Sequence, residues 1–506
     1  MDLEELRIQI DQADRDILDA FERRMVISKK IGEWKKLQGM EVLDTSRENE
    51  KTEALMKLAG DESRQYIGEL YKTIFEISRK HQNKKFYGVL GKSLPHTYSP
   101  NIHNLLTSDY TYTVIEREED QLDDLFGSNA YGGFNVTVPY KIEAAKRCTG
   151  LSPEARDTGA VNTVVFRNGE IIGYNTDIYG FGYMLRRSGI DPAGKDCLIL
   201  GHGGASVAVE YCLSKAGAKS ITFVSRREDI NYDNVYEKAS GSQIIINCTP
   251  VGMYPDIDGQ VIDLAGFPKA EAFADLIYNP SRTRLIMQAE RLGLKVAGGL
   301  SMLVAQALKA SLIFRDLLPD NEDPSEEDEK IADAVCDTLS KRMRNIVLIG
   351  MPGCGKTTLA EELAKITGRK MIDLDIEYAG EFGEKPSDTI KREGEDSFRH
   401  NETVLAKRIL PKSGLIISCG GGLVTREDNI FPMRCNSVVI YIERPLDVLA
   451  SDDRPLTAQK GVAALYGERR ELYENYCDIK ITVGKKANKK EFLSEAVTAL
   501  KKEGII

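Results

Sequence analysis

The chain has 506 residues, 42% of them apolar and 29% charged, with a net charge of −10. That length predicts three or four domains of about 100–200 residues each, and the acidic balance argues against nucleic acid or an anionic membrane as the main partner. No apolar run approaches the about 18–20 residues of a membrane span, the start MDLEELRIQI is unlike a targeting peptide, and nine cysteines without a CxxC pair, with only five histidines, fit reduced thiols in a cytoplasmic protein and no structural zinc.

In residues 1–82, Leu3, Leu6, Ile10, Ala13, Ile17 and Phe21 step by three or four, and Ile27, Ile31 and Trp34 resume the pattern. This predicts one amphipathic helix of about 35 residues and two shorter ones. So long a helix buries its stripe only against partner helices, so an all-α bundle completed by a second chain is expected. Arg24 and Lys35, 11 residues apart, share a face about 16 Å apart along the axis. Arg7, 17 residues from Arg24, lies on another face. Asp44, Arg47 and Glu48 follow a break at LQGMEVL, and Ser78 and Gln82 face together on the last helix. From spacing alone, a solvated face is the better reading of these groups. The whole pattern, LRIQIDQADRDILDAFERR, IGEWKK, DTSREN and FEISRKHQ, resembles the all-helical class of chorismate mutases. The resemblance implies a homodimer joined through residues 1–82, with Arg7 reaching the partner chain's site. Arg24 and Arg47 would hold the two carboxylates, Lys35 and Gln82 would donate to the ether oxygen of the breaking bond, and Glu48 would position a ring hydroxyl. Asp44 and Ser78 would line the pocket. The alternative is a non-catalytic dimerisation or effector-binding module on a bifunctional enzyme.

From Phe86, short β-rich runs (FYGVLG, GGFNVTV, VNTVVF, CLILG, SITFVS, QIIINCT) alternate with helical patterns, which predicts an α/β unit. Gly201, Gly203, Gly204 and Ala205 lie between the strand CLIL and a helix, an arrangement that puts a pyrophosphate at a helix N-terminus. Ser206 replaces the third glycine of G-x-G-x-x-G. The next strand ends in Ser225, Arg226 and Arg227, cations suited to the 2′-phosphate of NADP. Together with HTYSPNIHN, GFNVTVPYK, GAVNTV, GYNTD, INCTPVGM and GGLSMLVAQA, these features resemble shikimate dehydrogenase. The resemblance implies two lobes: a substrate lobe at about 86–185 and a Rossmann NADP lobe at about 186–298, with C-terminal helices folding back on the first, to 318. Lys141 and Asp177 would form the proton-transfer pair. Thr97, where serine is usual, with Ser99, Thr137, Asn162 and Gln306 would bind ring hydroxyls and carboxylate. Tyr278 and Gly299 would border the nicotinamide pocket.

PDNEDPSEEDEK (319–330) is acidic and lacks apolar periodicity, so it reads as a solvated linker, assigned to 319–342, on which the last domain moves independently. Beyond it, GMPGCGKTT satisfies G-x-x-x-x-G-K-[ST] between an apolar strand and a helix. Gly353, Cys354, Gly355, Lys356, Thr357 and Thr358 would cradle the phosphates of ATP, with Cys354 a small filler. DLD (Asp373, Asp375), SFRHNE (Arg399, Glu402), SCGGGLV (Gly420, Gly421, Gly422), DRPL (Arg454) and RRELY (Arg469) follow in order, and residues 343–506 resemble shikimate kinase. The resemblance implies a parallel-sheet P-loop fold with Thr357 and Asp373 on Mg²⁺. Asp375 would be the base toward the acceptor hydroxyl, with Arg399 and Arg469 on the acceptor carboxylate. Gly420–Gly422 would form the floor, and Arg454 would come from a lid a few residues shorter than is usual. The chain is thus expected to reduce 3-dehydroshikimate, phosphorylate shikimate and rearrange chorismate.

Overall fold

The computed structural model describes residues 2–37, 45–82, 85–95, 97–128, 130–319, 321–449, 461–485 and 489–506. The N-terminal apolar stripe becomes one 35-residue helix, Leu3–Leu37. Helices Thr45–Leu58 and Arg64–Gln82 follow, and the last packs against both others. Even so, Leu3, Ile10, Ile17, Ile27 and Trp34 remain more than half exposed.

Two lobes come next. The first carries a six-stranded sheet in the spatial order Thr111–Glu116, Phe86–Gly91, Gly133–Val136, Thr163–Arg167, Glu170–Tyr174 and Gly150–Leu151. It is mixed, because Thr163–Arg167 runs antiparallel to both neighbours. The second lobe holds five parallel strands in the order Lys295–Gly298, Ala272–Asp275, Ile244–Asn247, Asp196–Leu200 and Ser220–Val224. Helices cover both faces of such a sheet, which is why its inner strands read as continuous apolar runs. Helix Gly299–Phe314 returns from the second lobe to the first and packs along helix Asp177–Arg187. The crossing is close: a side chain on Gly180 would meet the Met302 carbonyl oxygen at 2.7 Å.

The linker expected over 319–342 is largely a helix, Glu326–Met343. Ser325 and Asp328 form a capping box at its start. Glu326–Glu329 occupy the first turn, where the helix dipole favours anions. Ala332, Val335, Cys336, Leu339 and Met343 are buried in one cluster with Val304, Leu308, Leu312 and Tyr183. Glu329 pairs with Arg186 at 2.6 Å, and Asp333 and Asp337 pair with Arg187 at 2.9 and 3.0 Å. The acidity therefore serves a helix cap and two arginines, not a solvated tether.

This helix runs directly into Asn345–Ile349, the central strand of a third sheet. That sheet is parallel, in the order Lys370–Asp373, Leu415–Ser418, Asn345–Ile349, Ser437–Glu443 and Ile479–Thr482. The Gly414 N–H donates to the Met343 carbonyl at 2.8 Å, so the end of the helix is built into the third sheet. Independent motion of the last domain does not fit this junction. Among the described residues, no helix is long and apolar enough to cross a membrane.

Candidate active sites

In the first lobe, Lys141 begins helix Lys141–Arg147 and Asp177 begins helix Asp177–Arg187. Their side chains, 36 residues apart in sequence, meet with Nζ 2.5 Å from Oδ2. Both are only 13–15% exposed, so the pair is shielded but reachable. Beside it, Thr176 Oγ1 lies 3.0 Å from Asn162 Nδ2 and 3.4 Å from Gln306 Oε1. Asn162 and Gln306, expected together, are therefore joined through Thr176, which sequence reasoning missed. Asn135 steadies this cluster from behind by donating to Thr163 Oγ1 at 2.9 Å and accepting from the Tyr112 hydroxyl at 2.6 Å. Thr97 and Ser99 hydrogen-bond to each other at 3.2 Å, and Tyr98 between them meets the Tyr278 ring edge-on at 5.9 Å. Thr137 takes a backbone bond to the Leu90 carbonyl at 2.9 Å and starts the turn that presents Lys141.

In the second lobe, Gly201 adopts a left-handed φ of 93° at the end of its strand. Among the described residues, side chains on Gly203 or Gly204 would meet no protein atom within 4 Å, so that face of the loop is open to a phosphate. Ser206 closes the loop on itself: its Oγ accepts from Gly203 N–H at 3.0 Å and donates to Gly203 O at 2.7 Å. Ser225 Oγ takes the Arg227 N–H at 3.2 Å, while Arg226 and Arg227 stay exposed, as an incoming 2′-phosphate requires. His202 pairs with Glu228 at 2.7 Å and stacks on Phe223. Gly299 is obligatory for packing, since a Cβ there would sit 2.0 Å from the Leu276 carbonyl oxygen.

Asp275, also missed from sequence, is fully buried at the base of the segment that carries Tyr278. It accepts from Ile277 N–H at 3.1 Å, Thr283 Oγ1 at 2.7 Å and Asn247 Nδ2 at 3.0 Å. Burial pushes its carboxyl up to about 6, against these three donors. The folded state thus holds the proton to higher pH than the unfolded chain, whose carboxyl titrates near about 3.9. Stability contributed at this residue should fall as pH rises from about 4 to about 6 and then level off. Asp275→Asn is expected to remove that dependence. Hydrogen exchange in strand Ala272–Asp275, parent against variant, should show their difference drifting by on the order of 3 kcal/mol across the window.

The third domain presents the glycine loop above a cavity of about 700 Å³. Gly353 and Gly355 have φ of 83° and 102°, which turns loop amides inward. Lys356, buried, donates to the Gly350 and Met351 carbonyls at 3.0 Å, and Cys354 is a fully buried filler. Thr357 Oγ1 lies 2.7 Å from Asp373 Oδ2, a hard-oxygen pair that fits Mg²⁺ beside the phosphates. Across the cavity, Arg399 Nη1 holds Glu402 at 2.6 Å, both side chains nearly inaccessible. Burial raises the Glu402 carboxyl, with Arg399 opposing. The Nε atoms of Arg399 and Arg469 are buried with no hydrogen-bond partner among the described residues, and both arginines line the cavity. A Cβ on Gly420 would lie 2.6 Å from Glu402 Oε1 and 3.3 Å from Asp375 Oδ1. One on Gly422 would lie 2.0 Å from Arg399 Nη2. The floor is glycine because the clamp occupies the space. Arg454 lies outside the described residues.

In the N-terminal module, Arg24 donates to Ser78 and lies over the Phe75 ring at 5.2 Å. Arg7, exposed, sits about 25 Å away along the same helix, too far to join Arg24 within one chain. Lys35, Arg47 and Glu48 occupy helices Leu3–Leu37 and Thr45–Leu58. Asp44 and the side chain of Gln82 lie outside the described residues.

Family models match in three places: chorismate mutase type II over residues 6–83, the shikimate dehydrogenase substrate binding domain over 89–164, and shikimate kinase over 352–501. The shikimate dehydrogenase (NADP(+)) of Clostridium beijerinckii is 37% identical over 255 residues, covering 47% of this chain and 94% of that protein. That of Caldanaerobacter subterraneus is also 37% identical over 255 residues, covering 46% and 91%. Among solved structures, a chorismate mutase/shikimate 5-dehydrogenase fusion protein from Clostridium acetobutylicum aligns with 35% identity and a TM-score of 0.47, over 51% of this chain and 98% of that one. Over its middle half the chain belongs to the NADP-dependent shikimate dehydrogenase family, and it carries that enzyme between a chorismate mutase type II domain and a shikimate kinase domain.

Proposed function

We propose that one chain, working in the cytoplasm, reduces 3-dehydroshikimate to shikimate with NADPH, phosphorylates shikimate with ATP, and rearranges chorismate to prephenate. The observation that carries the dehydrogenase part of this reading is the shielded Lys141–Asp177 pair beside the Asn162–Thr176–Gln306 cluster. NADPH, when bound, supplies the hydride, and ATP the γ-phosphoryl group. Lys141 gives a proton to the carbonyl oxygen as it becomes an alkoxide, and Asp177 keeps the ammonium oriented. Asn162, Thr176 and Gln306 fix the ring polar groups, and Thr97 and Ser99 hold the carboxylate end. In the kinase, Asp375 orients the attacking hydroxyl, Arg399 and Arg469 hold the substrate carboxylate, and Lys356 neutralises the phosphates. Thr357 and Asp373 would hold Mg²⁺, which supplies further charge neutralisation. In the mutase, fixed cations hold chorismate in its reactive conformer and stabilise the developing negative charge. Separate assays of one purified chain with 3-dehydroshikimate plus NADPH, shikimate plus ATP, and chorismate test the reading. Absence of any one activity removes that third of it.

The exposed apolar stripe and the distance from Arg7 to Arg24 support a homodimer through the N-terminal helices, with Arg7 from a second copy completing each mutase site. Ile17 is 66% exposed on this stripe. Ile17→Glu is expected to convert the dimer to a monomer in sedimentation velocity, with loss of mutase activity and unchanged dehydrogenase activity. A parent chain that sediments as a monomer with full mutase activity would contradict the dimer.

A further inference from the structure

The segment Leu276–Thr283 leaves the sheet of the NADP lobe and carries Tyr278, the residue placed at the nicotinamide pocket in the reading above. Its two ends are held inside the lobe by Asp275, through Ile277 N–H and Thr283 Oγ1. Its middle is held by the kinase domain. Ser281 N–H donates to Asn436 Oδ1 at 3.0 Å, and Asn436 Nδ2 donates to Asn279 Oδ1 at 3.0 Å. The Cys435 carbonyl accepts from Arg282 N–H at 3.0 Å and from Ser281 Oγ at 3.2 Å. Asn436 and Cys435 are both fully buried. Asn436 also donates to Ser413 Oγ at 3.1 Å and the Pro411 carbonyl at 3.2 Å, so its orientation is set within the kinase.

Apolar packing seals the rim of this contact. Ile257 and Met287 of the NADP lobe cluster with Phe431 and Cys435 of the kinase. The Arg284 guanidinium lies 4.1 Å from the Phe431 ring centre and pairs with Asp258 at 2.6 Å. A buried, oriented amide that matches a donor and an acceptor on another lobe is a specific contact, because each group left unpaired would incur its desolvation cost. With helix Glu326–Met343, the kinase is thus attached to the dehydrogenase at two separate places.

We infer that the kinase domain is a working part of the dehydrogenase: Asn436 is a positioning residue that fixes the Asn279–Arg282 backbone and, through it, Tyr278 at the nicotinamide pocket. Tyr278 also packs edge-on against Tyr98, between the two hydroxyl residues Thr97 and Ser99. The position of this segment therefore bears on cofactor and substrate loops together. The inference rests on the dehydrogenase reading above.

The test uses the full-length chain and three variants: Asn436→Ala, Asn279→Ala and the double variant. Each single change is expected to raise the KM for NADPH about five- to tenfold, the loss of one or two buried hydrogen bonds. The KM for 3-dehydroshikimate should move by less, and kinase turnover in Asn279→Ala should equal that of the parent. The double variant should be no worse than the poorer single one, because both remove the same contact, whereas unrelated destabilisation would add. If Asn436→Ala unfolds the kinase, as lost shikimate phosphorylation would reveal, Asn279→Ala alone carries the test. An NADPH KM within about twofold of the parent in Asn279→Ala overturns the inference. Additive losses in the double variant do so too. A parent chain that never oxidises NADPH removes the dehydrogenase reading itself, and the inference with it.

Discussion

Lys141→Ala is expected to lower the rate of 3-dehydroshikimate reduction by about 10²–10⁴-fold, the usual contribution of a positioned general acid. Hydride addition leaves an alkoxide that must take a proton, and in the proposed mechanism Lys141 Nζ, 2.5 Å from Asp177, is the group that supplies it. Alanine leaves Asp177 without its counter-charge in a shielded pocket, so a neutral ion pair becomes a net negative charge. The effect should fall on kcat, because the Asn162–Thr176–Gln306 cluster proposed to hold the ring is untouched. Phosphorylation of shikimate by the same variant should stay within about twofold of the parent, since the kinase stands on a separate sheet. Steady-state assays of both reactions on one preparation check this. Equal loss of both activities would mean that the substitution had unfolded the chain.

Arg399→Ala should be the most damaging change in the kinase, in two ways. Arg399 and Glu402 have side chains only 6% and 4% exposed and meet at 2.6 Å. Removing the arginine strands a buried carboxylate, which typically costs about 3–5 kcal/mol. Part of that is relieved if Glu402 takes up a proton, which its burial already favours. The second effect is on the acceptor: losing one charged clamp on a carboxylate should raise the KM for shikimate by about 10–100-fold. Arg399→Ala, Glu402→Gln should recover much of the thermal stability without recovering the KM. Differential scanning calorimetry and shikimate titrations at saturating ATP separate the two. Recovery of both together would remove Arg399 from the substrate site.

What the sequence revealed follows the range of the interactions involved. The two glycine loops were legible because their chemistry is contiguous: strand, turn and helix lie within about 20 residues. Arg399 and Glu402 stand three apart in SFRHNE, a spacing that faces two side chains together on a helix, and the structure pairs them. The partners found only in the structure act across folds of the chain. Thr176 bridges Asn162 and Gln306, 144 residues apart. Asp275 reads as an ordinary strand-end residue until Thr283 and Asn247 close on it. Asn436 has no local signature at all, and its role depends on a neighbouring domain. Helix Glu326–Met343 was misread for a different reason. Composition over SEEDEK outweighed a capping box, Ser325 and Asp328, and an apolar stripe that begins only at Ala332. The first turn of a helix is where acidic residues are favoured, so the charge that suggested a linker is itself a helix start signal.

Whether the two sites work in sequence is tested by one reaction containing the purified chain, 3-dehydroshikimate, NADPH and ATP with Mg²⁺, followed for NADPH oxidation and for phosphorylated product. The expected result is NADPH oxidation with formation of shikimate 3-phosphate in equal final amount, and no net shikimate. Shikimate that accumulates unphosphorylated, or NADPH that is not oxidised, would contradict an enzyme that makes a substrate at one site and consumes it at the other.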